Sequence, residues 1–345
     1  MTASQAAGWR STARRLLPRG RRRRDPPEVD RVALAREVRR IELKARRLVD
    51  SHALGAYESI FRGHGIEFSE VRAYQPGDAF QAIDWKVTAR MGRPFVKRFV
   101  EERELTVLLV VDLSASTEFG TRGRLKQQLA LEVAGVLSLA AVRSQDRVGL
   151  LLFTDRVEKF VRPVRGRNRT LCLLYDLLAF RPAGRGTDLA LALETACRLL
   201  TDRSLVFLLS DFDLGGAGAS GSTETRSGAR ESVVRALLGL TRHHEVVAVD
   251  VSDPAEERLP PGGLLQVEDP ETGWRGVVDL ADRRVRAAMT RRAAEVESEL
   301  AAVFRRAGVE QLRVRTDSPY VAELYTFFAA RARRRRMQPN RAGWR

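Results

Sequence analysis

From residue 104 onward the chain repeats one pattern, a short and nearly unbroken apolar run followed by a longer stretch of helical period. Leu105 to Val111 is the first such run, and a segment apolar at both parities of its pleat belongs to a strand covered on both faces. A helix is expected over 124–142, strands over 147–153 and 157–161, helices over 168–179 and 189–200, and a strand over 204–210. A glycine- and serine-rich loop over 214–228 leads to a helix over 231–242 and a strand over 246–251. Short strands around a Pro270–Gly273 turn fill 264–279, before a helix over 282–307, a strand over 311–315 and a helix over 319–332. Such alternation is satisfied by a mainly parallel, doubly wound sheet with helices on both faces, a Rossmann-like α/β architecture.

Ahead of this body, Val32, Leu34, Val38, Ile41, Leu43 and Leu48 recur at helical spacing between Asp30, a suitable N-cap, and about Val49. Residues 54–100 hold more aromatic, β-branched and glycine residues and suggest short strands and turns. Their large apolar side chains are too few for a good separate core, so this segment is expected to pack on the α/β body. The division is therefore a disordered arginine-rich leader over 1–29, a helix and small β-rich segment over 30–103, an α/β domain over 104–330, and a disordered basic tail over 331–345.

The formal charge of +16 invites a nucleic-acid reading until it is mapped. Residues 1–24 carry eight arginines and residues 331–345 carry seven, with no acid in either stretch. The remainder is close to neutral. Weak contact with polyanions or anionic membrane surfaces is expected through these arginines alone. Cys172 and Cys197 are the only cysteines, which excludes a disulfide framework and fits a reducing cytoplasm. His52, His64, His243 and His244 form no ligand spacing. No run reaches 18 apolar residues, and Arg14-Arg15-Leu16-Leu17 is followed by more arginine rather than an apolar core, so neither a membrane span nor export is expected.

The chemistry gathers at strand ends. Asp112-Leu113-Ser114-Ala115-Ser116 follows the first sheet strand, and in extended backbone positions 112, 114 and 116 project together. One carboxylate and two hydroxyls are hard oxygen ligands, suited to Mg²⁺ or Mn²⁺ rather than zinc. Gly186-Thr187-Asp188-Leu189 opens a later helix and offers another hydroxyl, while Ser210-Asp211-Phe212 closes a buried strand with a second carboxylate. Open α/β sheets bind ligands at this edge.

These three elements resemble the metal-ion-dependent adhesion site of the von Willebrand factor A family. The resemblance implies one divalent ion held by Asp112, Ser114, Ser116, Thr187 and Asp211, with a partner's carboxylate completing the coordination. Asp188 and Asp213 read instead as a helix N-terminal acid and a solvated loop acid. Upstream, Arg72-Ala73-Tyr74-Gln75-Pro76-Gly77-Asp78, then Ile83-Asp84-Trp85, Thr88-Ala89-Arg90 and Glu101-Glu102-Arg103-Glu104-Leu105 resemble the bacterial domain-of-unknown-function family 58. That resemblance spans about residues 31–330 and implies such a segment joined to an A-like domain. It also implies a MoxR-type AAA+ ATPase as partner, and so a non-catalytic, metal-dependent adaptor with no small-molecule substrate. Departures fall at Ala79, Gln81, Ala82 and Thr117, none of them a metal position.

Two other readings stay open at this point. Asp78 with Asp84-Trp85-Lys86 echoes the acid clusters of metal-dependent nucleases, and a nuclease or other hydrolase would suit the basic ends. The bland reading of Asp78 is a local salt bridge with Arg72 around the Pro76-Gly77 turn. Alternatively, the A-like domain is structural and its metal site unused. The sequence holds no Gly-x-x-x-x-Gly-Lys loop, Gly-x-Ser-x-Gly elbow or His-Glu-x-x-His pair.

Overall fold

The computed structural model describes residues 31–48, 67–75, 78, 80–100, 105–121, 123–213, 223–259, 261–271 and 273–337. The leader over 1–29, Pro76, Gly77, residues 214–222 and the last eight residues lie outside them. The elements run α1 (Arg31–Leu48), β1 (Glu67–Ala73), α2 (Trp85–Met91), β2 (Phe95–Val100), β3 (Thr106–Asp112), α3 (Lys126–Arg143), β4 (Arg147–Phe153) and β5 (Val157–Val164). There follow α4 (Arg167–Ala179), α5 (Leu189–Leu199), β6 (Ser204–Ser210), α6 (Thr223–Thr241), β7 (Glu245–Ser252) and the single turn α7 (Pro254–Glu257). The chain closes with β8 (Leu264–Glu268), β9 (Arg275–Asp279), α8 (Arg283–Ala307), β10 (Glu310–Arg315) and α9 (Tyr320–Met337).

Six strands form the central sheet in the order β10-β7-β6-β3-β4-β5, all parallel except β5. The apolar runs that mark the strands are divided by parity. Val107, Leu109 and Val111 of β3 face a layer containing Leu129, Val133, Leu137, Leu174 and Phe328, from α3, α4 and α9. Leu108 and Val110 face the opposite layer, which includes Leu193, Leu237 and Phe304 from α5, α6 and α8. Each such side chain contributes about 1.5–3 kcal/mol by leaving water. The expected architecture is therefore present, with helices on both faces.

Strand order also locates a crevice. From β3 the chain moves outward through β4 to β5, then returns to place β6 on the other side of β3. The connections leaving β3 and β6 thus diverge to opposite sides, the arrangement at which open α/β sheets form a crevice outside the carboxyl ends of their strands. Asp112 and Ser210 are the last residues of those strands.

Helix α1 belongs to this body. Ile41 is fully buried within the α3–α4 layer, and a Cβ on Gly135 would come within 2.6 Å of Ile41 Cγ2, so glycine lets the two helices close. Lys44 reaches Glu132 at 2.5 Å, and Glu42 is bonded by Arg39 and Arg167. Helix α1, although it precedes residue 104, is therefore packed into the same layer as α3 and α4. Amphipathicity shows that a helix has a buried face but not what covers it.

The small segment is an antiparallel pair, with Glu67 opposite Val100 and Ala73 opposite Phe95. Ile83, Phe95 and Val96 are buried, while Phe80 and Trp85 are mostly exposed and stack edge to face at 5.7 Å. Two boundaries differ most from expectation. Helix α6 already begins at Thr223, inside the stretch expected as loop, and α9 runs to Met337, into the stretch expected as tail. The second has a clear cause: Arg331 is buried against Glu245 and, at 3.3 Å, Glu310, and arginine itself favours helix.

Candidate functional site

Three loops meet over the β3–β6 crevice, the first two tied by backbone hydrogen bonds. Leu113 N–H donates to Phe153 O at 2.9 Å, so the chain continues beside β4 after β3 ends. Ser114 then begins a 3-10 turn over Ala115–Glu118, with Thr117 Oγ1 donating to Ser114 O at 2.7 Å. Ala115 N–H donates to Arg185 O and Asp188 N–H to Thr154 O, at 2.8 and 2.9 Å, which brackets Thr187 between the first loop and the end of β4. Gly184 makes that approach feasible. A Cβ there would sit 2.1 Å from both Asp155 Oδ1 and Thr154 Oγ1, while its N–H donates to Glu158 at 2.7 Å.

The third loop leaves β6 sharply. Phe212 has φ of +50°, a left-handed conformation that costs an aromatic residue roughly 1–3 kcal/mol. Its ring is buried edge-on against Phe304 at 5.1 Å, and its N–H donates to Ser210 Oγ at 3.0 Å, so packing holds the strained turn directly after Asp211.

Asp112 is the centre of the arrangement and is wholly buried. Oδ1 accepts from Ser114 N–H at 2.9 Å and Oδ2 from Ser210 Oγ at 2.6 Å. Burial, then the nearby charge of Asp211, pushes its pKa up to about 7 against those donors. Among the described residues no basic side chain bonds to it. The hydroxyls of Ser114 and Ser116 lie 3.0 Å apart. Ligands at about 2.1 Å in cis positions of an octahedral ion stand about 3.0 Å apart, so this donor set suits Mg²⁺ or Mn²⁺ in both chemistry and spacing. Among the described residues, no cluster of three histidine, cysteine, aspartate or glutamate side chains offers an alternative metal centre.

Two sequence-derived positions have further partners. Asp211 is nearly buried, and its Oδ2 accepts from Lys126 Nζ at 2.7 Å. The same ammonium meets Glu256 at 2.5 Å. Burial alone would lower the lysine's pKa, but the two carboxylates raise it on balance, so Lys126 is fixed as a cation. Among the described residues, Asp211 Oδ1 has only a long 3.5 Å contact from Asp213 N–H. Thr187 Oγ1 donates to Glu271 Oε1 at 2.7 Å, joining the second loop to the β8–β9 turn.

Ser210, Lys126, Glu256 and Glu271 were not assigned from sequence. Ser210 stands beside Asp211 in a strand-end motif and was legible in principle. Lysine is almost never buried, so nothing marked Lys126 before its acidic neighbours were placed. Asp253 of the β7 loop is structural: it accepts from Thr121 N–H and Oγ1–H at 2.9 and 2.6 Å and from Thr316 Oγ1–H at 2.5 Å. Asp188 caps α5 through Leu191 N–H, as a helix N-terminal acid should.

The upstream motif is built for local structure. Asp78 pairs with Arg72 at 2.5 Å and accepts from Gln75 N–H at 2.9 Å, which holds its pKa below the ordinary carboxylate value. Asp84 caps α2 through the N–H groups of Lys86 and Val87. Tyr74 N–H joins Pro94 O at 2.9 Å. Both carboxylates of the nuclease-like cluster are thus committed to turn and cap. Among the described residues no helix is long and apolar enough to cross a membrane.

A family model described as Protein of unknown function DUF58 matches residues 70–299. The uncharacterized proteins Mb1516 of Mycobacterium bovis and Rv1480 of Mycobacterium tuberculosis are each 31% identical over 308 residues, covering 89% of this chain and 92% of theirs. Among solved structures, BatB from Bacteroides thetaiotaomicron aligns with a TM-score of 0.40 at 17% identity, over 67% of this chain and 99% of that one. A von Willebrand factor type A protein from Catenulispora acidiphila aligns with a TM-score of 0.38 at 12% identity, over 67% of this chain and 43% of that one.

Proposed function

The chain belongs to the DUF58 family of proteins of unknown function, and on that premise we propose that the β3–β6 crevice is a divalent-cation site for recognising a protein partner. The carrying observation is Asp112. A carboxylate that is fully buried, beside a second carboxylate and held, among the described residues, only by neutral donors, is costly unless a cation lies beside it. Asp112, Ser114, Ser116, Thr187 and Asp211 would hold Mg²⁺ or Mn²⁺, with Lys126 on one oxygen of Asp211 and the other left to the ion. The ion would supply positive charge and a vacant coordination position. The chain's own groups set the rest: Ser210 and the Ser114 N–H orient Asp112, and Lys126 holds Asp211 in place through Oδ2. Five oxygen donors leave one position of an octahedral ion for a partner's acid. A MoxR-type AAA+ ATPase is the proposed partner, and the role is that of an adaptor without catalysis.

Saturating Mg²⁺ should stabilise the wild type, by about 2.7 kcal/mol at a hundredfold the dissociation constant, and leave Asp112→Ala and Asp211→Ala unaffected. An equal response in all three would remove the metal reading. Chelation should also release a co-purifying ATPase.

One observation favours a second reading. Lys126 already bonds Asp211, and a resident ammonium is a substitute for a metal. In that case the site is structural, melting is indifferent to Mg²⁺ in every variant, and Lys126 alone keeps the loops together.

A further inference from the structure

We propose that Glu271, at the tip of the β8–β9 hairpin, is an acidic ligand that the chain offers to its own cation site, in competition with the acid of a partner. The inference rests on the reading of that crevice as a cation site and names what occupies its open position at rest.

Three observations carry it. First, Glu271 Oε1 lies 2.7 Å from Thr187 Oγ1. That is close to the spacing of cis oxygens around an octahedral ion and comparable to the Ser114–Ser116 pair. The contact also engages the threonine proton and leaves that oxygen's lone pairs available. Second, the tip is aimed. Glu271 N–H donates to Asp269 Oδ1 at 3.0 Å, Asp269 N–H to Trp274 O at 2.8 Å and Gly273 N–H to Asp269 O at 2.8 Å. Gly273, at φ +71°, allows the chain to turn back. Arg185 donates to Pro270 O at 3.2 Å, so the Thr187 loop grips the tip at two points.

Third, the rest of the hairpin is lightly held. Leu264 and Val277 are 76% and 66% exposed, and among the described residues β8 and β9 pair only with each other. A lone two-stranded hairpin is marginally stable, so contacts at the tip contribute much of what keeps it over the crevice. An acid on a weakly tethered arm is suited to leaving when a better-placed acid arrives.

The test uses the full chain with Mn²⁺ as probe, reading water-proton relaxation of the bound ion. Glu271→Ala should bind Mn²⁺ roughly ten- to a hundredfold more weakly and show higher relaxivity, because water takes the vacated position. Free acetate should lower the relaxivity of Glu271→Ala and leave that of the wild type unchanged. Glu271→Gln, which keeps the side-chain shape and a hydrogen-bonding oxygen, should resemble Glu271→Ala in its acetate response. Equal relaxivity and equal acetate response in wild type and both variants would overturn the assignment, provided Asp112→Ala abolishes Mn²⁺ binding. A wild type that binds no Mn²⁺ would overturn the cation site and this assignment together.

Discussion

Lys126 is the residue on which the two readings of the crevice divide. Its ammonium is almost fully buried between Asp211 and Glu256, and removing one partner of a buried pair strands the other. Lys126→Met should cost about 3–5 kcal/mol in chelator, measured by denaturant unfolding. On the cation-site reading the loss shrinks when Mg²⁺ is added, because the ion takes over neutralising Asp211. A loss that is unchanged by Mg²⁺ would favour the lysine as sole cation. Gly184→Ala probes the neighbouring loop, where the added methyl would meet Asp155 and Thr154 at 2.1 Å. It should destabilise the fold by about 1–3 kcal/mol and weaken Mg²⁺ stabilisation through displacement of Thr187.

Among elements, the carboxyl ends of β7 and β10 are laced to the β3–α3 loop through Asp253. Burial pushes its pKa up, but hydrogen bonds from Thr121, Thr316 and Ala255 outweigh it, and the net shift is downward. A depressed folded-state pKa means that this contribution is complete above the unfolded carboxylate value of about 3.9 and is lost as pH falls through the folded value. Asp253→Ala should therefore cost about 3 kcal/mol near neutrality and should show a shallower loss of stability than the wild type below about pH 4. Parallel acid profiles would mean that Asp253 titrates alike in both states. The same logic of contact over sequence applies to α1. Ile41→Ala should cost about 2–5 kcal/mol even though it lies far outside the α/β body in the chain, and a change within 0.5 kcal/mol would show that α1 is not part of the core.

At the scale of the whole molecule, basicity is distributed less simply than the ends of the sequence suggest. Arg331 is buried and paired, and α9 continues to Met337, so part of the C-terminal arginine cluster is a helical feature of the body. Arg331→Ala should destabilise the fold by roughly 1–3 kcal/mol through loss of its bonds to Glu245 and Glu310. Deleting residues 1–24, by contrast, should leave melting unchanged while flattening the salt dependence of heparin binding, since eight arginines are removed. An unaltered salt slope would place polyanion contact on the folded body.

The sequence by itself determined the sheet and its layers. Runs such as Leu105–Val111 and Leu205–Leu209 are apolar at both parities, and that pattern is intelligible only in strands covered on both faces. It also placed Asp112 at the end of β3 and Asp211 directly after β6, because residues at strand ends are positioned by topology. What only the tertiary structure decided are the contacts between residues distant in the chain: Lys126 against Asp211, Glu271 against Thr187, Asp253 against Thr121 and Thr316, and Ile41 beside Gly135. Periodicity reports which face of an element avoids water. It carries no information on which charged or hydroxyl groups from other elements will share a cavity, since those pairings are fixed by loop paths and by the exclusion of water when the layers close.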